Sequence, residues 1–364
     1  IFTRDGAAAL GQAFQGVRTS DGLLEGLFPL QDTGLSTASL AEAGAAFLAS
    51  LNDIHLSRAH FPVDDPEWRN WSNVDVGIFA RHGVSLEEMD ATQKAAAWNL
   101  LRVSLSAQGL KTTQDIMKTE QTLLELNEES IRYGEEKYYF TVMGIPSATE
   151  PWGWQLDGHH LVINYFIQGG QVVMTPTFLG GEPVVAESGK YEGNTILQDE
   201  QNLGLAFMTS LSDEQRRQAT VQSEKTANAP MAAANEDNMV LDYVGLPGAA
   251  LTPAQKAKLV ELIAQYVGNM RDDQAAVRMD QVERHLNETY FSWVGQVNQN
   301  AVFYYRVHSP VVLIEFDHQN PVGTTMINPP GTPTRDHIHT VIRTPNGNDY
   351  GKDLLRQHLE THQH

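Results

Sequence analysis

Histidines and carboxylates gather where apolar segments begin or end. The run Trp152-Gly153-Trp154-Gln155-Leu156-Asp157-Gly158-His159-His160 leads into the apolar segment 161–167. Glu315, Asp317 and His318 close the segment 311–317, and His337 and His339 open the segment 337–344. Imidazoles and carboxylates that ride on strands can converge on one point, and such a point holds a divalent or transition metal ion. Side chains alternate between the two faces of a strand. That alternation places Glu315 with Asp317, His337 with His339 and Arg343, and His160 with Asn164, while His159 points the other way. One face of one sheet can therefore carry His160, Asn164, Glu315, Asp317, His337, His339 and Arg343.

The chemistry this set supports is specific. His159, His160, His337 and His339 are the candidate metal ligands, with zinc favoured and copper, iron or manganese also compatible with imidazole and carboxylate donors. Glu315 or Asp317 is the fourth ligand or the general base. A carboxylate buried alone in an apolar strand is costly, so Glu315 requires a partner: the metal, Arg306, Arg343 or a histidine. Arg343 can stabilise developing negative charge or simply pair with Asp349. Trp152 and Trp154, with Asn164 and Asp349, are candidate substrate contacts; the two indoles serve equally well as core packing. His358, His362 and His364 fall in a C-terminal tail expected to face solvent.

Composition narrows the classes. The chain has 364 residues, 41% apolar and 19% charged, which describes a folded globular protein. Its net charge of −20 repels phosphate backbones and disfavours nucleic acid as a partner. The absence of cysteine removes disulfides, iron–sulfur clusters, thiolate zinc sites and cysteine nucleophiles. No apolar run approaches the ~20 residues of a membrane span. The chain starts at Ile1, as expected if a secretory signal has been removed. The serine-hydrolase elbow, the zinc-protease helix motif, the P-loop and the dinucleotide fingerprint are all missing.

The elements that must position these residues read as follows. Residues 1–135 are mainly helical, with apolar residues at helical spacing over 36–52, 90–106 and 112–129; Ser39 with Glu42 resembles a capping box, and Gly109 is expected to separate the last two helices. Residues 136–190 and 300–345 form a β core, with a hairpin at Gly169-Gly170 and a loop over 177–185. A helical insertion spans 195–298, in which Thr252 and Pro253 open an amphipathic helix and 224–237 reads as a mobile surface loop. The whole is an α+β protein: a central antiparallel or mixed sheet with the N-terminal helices and the insertion packed around it.

Several motifs in this order resemble the bacterial family catalogued as domain of unknown function 3500, whose members are uncharacterised and often exported. They are Leu105-Ser106 with Ile116-Met117 and Glu120 in the helix that follows, Trp152-Gly153-Trp154 with Gly158-His159-His160-Leu161 and Asn164, and Thr175-Pro176-Thr177-Phe178-Leu179-Gly180. Ile314-Glu315-Phe316-Asp317, His337-Ile338-His339-Thr340 and Asp349-Tyr350-Gly351-Lys352-Asp353-Leu354-Leu355 complete the set. This chain departs from the family pattern at His318 and Asp336, where the family carries asparagine. The resemblance implies an exported protein with a shared site and supplies no reaction. The expected function is a metal-dependent hydrolase, secreted or periplasmic, acting on a small-molecule or polymeric extracellular substrate. A copper or iron oxidoreductase and a non-catalytic metal-binding protein are the alternatives.

Overall fold

The computed structural model describes residue 6, residues 8–128 and residues 130–361. His362 and His364 lie outside the described residues. The strands are β1 (His60–Phe61), β2 (Val84–Ser85), β3 (Tyr138–Met143), β4 (Trp152–Gly158), β5 (Leu161–Gln168), β6 (Gln171–Val173) and β7 (Thr177–Gly181). They continue with β8 (Thr220–Gln222), β9 (Leu246–Pro247), β10 (Tyr290–Gly295), β11 (Phe303–His308), β12 (Leu313–His318) and β13 (Ile338–Arg343). All join one mixed sheet whose main path is β1-β3-β4-β5-β7-β13-β12-β11-β10-β8. Strands from before and after the middle helices meet where β7 pairs with β13. The architecture is α+β.

The helices form where local signals and an apolar stripe coincide. Asp90 caps Ala91–Ser104 and closes a capping box with Gln93. Thr252 does the same with Gln255 for Pro253–Val267. Two expectations shift. The N-cap of Ala38–Ser50 is Thr37, so Ser39 lies inside the helix. Ser106 caps Ala107–Leu126, and Gly109 sits within that helix rather than between helices. Its missing side chain is what admits the Asn269 carbonyl, which a Cβ would meet at 2.1 Å.

Cross-strand partners share a face, and the register divides the sheet cleanly. One face presents Tyr138, Trp154, Ile163, Ile342, Phe316 and Tyr305, which belong to the main core under the helices. The other presents Val162, Phe178 and Val341 against a smaller cluster with Trp68, Trp71 and Tyr350. Over β12 and β13 this second face is covered by the segment 224–237, which is a loop as expected but does not lie wholly at the surface: Ala232 is fully buried, and Lys225 and Asp237 are buried beside it. The segment 177–185 is likewise not all loop, because Thr177–Gly181 is the strand that ties the two halves together.

Candidate metal centre

His159 and His160 do not ride on a strand. The ladder of β4 and β5 ends at the pair Gly158–Leu161, so the two histidines are the connection of a tight hairpin. His160 holds a left-handed backbone (φ 61°), a conformation that costs a residue with a Cβ about 1–2 kcal/mol. A turn removes the alternation expected of a strand. The two rings stack, with centroids 3.8 Å apart, instead of pointing to opposite faces.

The partners arrive from two strands away. His339 pairs across β7 with Gly180, and the Gly180 amide donates to the His160 carbonyl at 2.7 Å. His339, Gly180 and His160 thus form one row, with glycine in the middle. A Cβ on Gly180 would lie 3.1 Å from the His339 ring. Without it, the His160 and His339 rings meet across the gap at 5.2 Å between centroids. His337, two residues before His339, completes the cluster, with its ring 5.4 Å from that of His160.

The nitrogens are close enough together that they could hold a metal ion. One nitrogen each from His160, His337 and His339 lies within 4.8 Å of the others. The Nε2 atoms of His337 and His339 are 2.9 Å apart. Two imidazoles on one tetrahedral ion, bound at about 2.0–2.1 Å, would have their nitrogens roughly 3.3 Å apart, so the pair needs little adjustment. The Nδ1 of His337 faces the Asn320 carbonyl at 2.7 Å. A carbonyl only accepts, so Nδ1 carries the proton and Nε2 keeps its lone pair for the cluster. Burial holds His160, His337 and His339 below the ordinary histidine pKa, and their mutual repulsion adds to this for His160 and His339. A neutral imidazole is the form that binds a metal.

Two buried glutamates flank the imidazoles, and neither was among the candidates from sequence. Glu120, from Ala107–Leu126, lies 2.8 Å from His159 Nδ1. Glu120, His159 and His160 form a second group of donors within 4.8 Å. At the other end, Glu182 follows β7. It accepts from the amides of Val322, Gly323 and Thr324, each at 2.9 Å, and from the Thr324 hydroxyl. Its Oε2 is 3.5 Å from His337 Nδ1. Burial opposes its charge, but His337 and these donors outweigh it and hold the carboxyl below the usual carboxylate range. Carboxylates behind metal-binding imidazoles orient the rings and raise their basicity. A carboxylate in the buried stripe with Ile116 and Leu123 was a signal for Glu120; nothing local marks Glu182.

The other candidates are placed elsewhere. Glu315 and Asp317 share the expected face with His339, and Asp317 is its cross-strand partner. Both turn instead to the 224–237 segment. Glu315 accepts from Tyr304 OH and from the Ala232 amide at 2.6 Å. Asp317 pairs with Lys225 at 2.8 Å and accepts from the Ala229 amide. Burial pushes Asp317 up to about 7 against the pull of Lys225. Arg343 is fully buried, paired with Asp237 at 2.9 Å and Asp349 at 3.1 Å, and donates to the Ala232 and Ala233 carbonyls. Asn164 is tied to Gln155 and the Pro176 carbonyl. Trp152 and Trp154 are buried on the helical face, Trp154 stacked on Tyr165 at 5.1 Å. His318 faces the helices too, 2.9 Å from Gln201. His358 is buried beside Gln168 rather than facing solvent.

No helix among the described residues is long and apolar enough to cross a membrane. Neither a curated protein nor a solved structure matches the chain. A family profile described as protein of unknown function (DUF3500) matches residues 33–352, and with most of its length covered the chain belongs to that family.

Proposed function

We propose that this protein is a metal-dependent hydrolase in which His160, His337 and His339 hold one ion. The observation that carries the reading is the meeting of three imidazoles across a glycine, with one nitrogen of each within 4.8 Å of the others and burial holding all three below the ordinary histidine pKa. Three neutral imidazoles suit zinc, and a bound divalent ion lowers the pKa of water toward about 7. Glu120 takes the Nδ1 proton of His159 as its hydrogen-bond donor, which makes Nε2 the basic nitrogen. His159 is the partly exposed member of its pair, with 15% of its side chain accessible against 2% for Glu120. We assign it the role of general base, beside the ion rather than on it. Glu182 and the Asn320 carbonyl hold His337 in its tautomer. A small-molecule or polymeric substrate outside the cell completes the proposal.

The test is elemental analysis of untagged protein beside a His337→Ala/His339→Ala double variant. Near-stoichiometric zinc or manganese, lost in the variant, is the expected result. Copper or iron in its place would redirect the reading to oxidation. No metal in the wild type, even after reloading and desalting, would overturn it. A His159→Gln variant should keep the metal and lose turnover across an ester, phosphoester and glycoside panel.

A further inference from the structure

Beside the proposed general base stands a buried hydroxyl with nothing to donate to. Tyr133 lies between helix Ala107–Leu126 and β3, its amide turned back to the Ser130 carbonyl at 3.2 Å. Its ring stacks on that of His159, with centroids 5.7 Å apart and planes at 26°, and His159 stacks in turn on His160. The Arg132 guanidinium lies 5.7 Å from the Tyr133 ring centre and is fixed by bonds of 2.6 and 2.8 Å to Asp75. Tyr133 is 6% exposed, yet its hydroxyl bonds to no described residue. Buried phenols are ordinarily paired, as those of Tyr304, Tyr305 and Tyr350 are with Glu315, the Glu200 carbonyl and Asp237. The Tyr165 hydroxyl is also unpaired, but it is sealed from solvent in the helical core; the Tyr133 hydroxyl is not sealed.

The surroundings place this hydroxyl at the centre. The carboxylates whose charges reach it are Asp75, Glu120 and Glu182, and the last two flank the imidazoles from opposite ends. Burial raises its pKa, and these carboxylates add to that against Arg132, so it remains a neutral O–H donor. The carboxylates also select what it can bind. Burial opposes the charge of Asp75, but Arg132 and the Gly77 amide outweigh it and hold the carboxyl below the usual range, as His337 and its other donors do for Glu182. Two charged carboxylates repel a phosphate ester; a neutral ester or amide meets no such repulsion. Resting on the hydrolase reading, we propose that the substrate is a neutral carboxylic ester or amide and that its carbonyl oxygen accepts from the Tyr133 hydroxyl. The water oxygen bonds to the carbonyl carbon as His159 Nε2 takes the water proton, and the carbonyl π pair moves onto the oxygen held by Tyr133. That pair returns as the C–O or C–N bond breaks, and the leaving group takes the proton from His159. The products are a carboxylic acid and an alcohol or amine.

Tyr133→Phe keeps the ring on His159 and removes only the donor. Zinc-loaded wild type and variant, with bound metal measured in each, are titrated with phenylboronic acid, whose tetrahedral hydroxide adduct mimics the reaction intermediate and is read by boron NMR. The wild type should bind the adduct, and the variant should hold its full metal and bind about tenfold more weakly or worse. With phenyl acetate, kcat should fall about 10²–10³-fold in the variant while KM changes little; phenyl phosphate should not be turned over. Equal boronate affinity and equal kcat in a metal-bearing Tyr133→Phe would overturn the donor, as would loss confined to Tyr133→Leu, which marks mere packing on His159. No boronate binding or no ester turnover by metal-bearing wild type would overturn it too, and turnover of the phosphate in preference to the ester would overturn the substrate class. A wild type without metal sinks the hydrolase reading itself, and elemental analysis tells that failure from the others.

Discussion

The two ends of β13 bury the same kinds of side chain to different effect. At its start, His337 and His339 meet His160 with nitrogens facing one another and no cation among them. At its end, Arg343 meets Asp237 and Asp349, with backbone carbonyls taking two more of its donors. Burial weakens its charge, but the two carboxylates outweigh that and raise its pKa. The arginine end is satisfied by what the chain itself supplies, which marks it as structural. The histidine end is a set of imidazoles held together by its surroundings, and it is a group that could hold a metal ion. Buried polar groups that complete one another build the fold, and those that lack one component point to a ligand.

The contrast can be broken at several points. Arg343→Ala should cost the most, about 3–5 kcal/mol in urea unfolding, because two buried carboxylates lose their cation. Metal content per folded molecule should not change; a loss like that of the histidine variant would erase the division between the ends. Glu120→Gln and Glu182→Gln should fold and lower metal affinity roughly 10–100-fold by competition with a chelator. Unchanged affinity in both would remove the carboxylates from the centre. Gly180→Ala adds a methyl 3.1 Å from the His339 ring and should weaken metal binding about tenfold while costing about 1–3 kcal/mol of stability. A neutral outcome would show that the rings do not need that gap.

The smallest effect concerns a buried histidine with no imidazole neighbours. His308 sits in the row of Leu313 and Arg343, against the Tyr243 ring at 4.6 Å. Burial, helped by Arg306, pushes it from 6.5 down to about 3. The unfolded chain therefore binds the extra proton first, and wild-type stability falls as pH drops from about 6.5 toward 3. His308→Leu removes this component. The wild type should lose about 0.7 kcal/mol relative to the variant between neutral pH and pH 6, measured as the difference between their urea unfolding curves. A difference that does not vary with pH would contradict the assignment.

Much of this molecule was legible because its signals are local. The cap at Thr252 is where its helix begins, since a side-chain oxygen reaches amides three residues away whatever the tertiary fold. The strand 138–143 and the hairpin at Gly169-Gly170 follow from alternation and turn chemistry. The shared face of Asn164, Glu315, Asp317, His339 and Arg343 was also readable, because period two survives any pairing order. The hairpin at His159-His160 was not, since neither turn position is a glycine or asparagine and the neighbouring Gly158 ends the strand before it. Nor was the buried role of 224–237, whose alanines and asparagines look like loop composition; its Ala232 amide serves Glu315, and its Ala229 amide and Lys225 side chain serve Asp317.

By itself the sequence determined the supply of chemistry: four histidines near strand ends, carboxylates on the same face, no thiol and an acidic surface. Only the tertiary structure decided which of these meet. Strand pairing put Gly180 between His160 and His339, a helix from the first third brought Glu120 to His159, and the Ala-rich segment drew Glu315, Asp317 and Arg343 to its backbone and to Lys225 and Asp237. The reason is physical. Donor type is a property of one residue, but satisfaction of a buried polar group depends on whichever partner the packed chain places within about 3 Å, and for these residues that partner lies tens to hundreds of positions away.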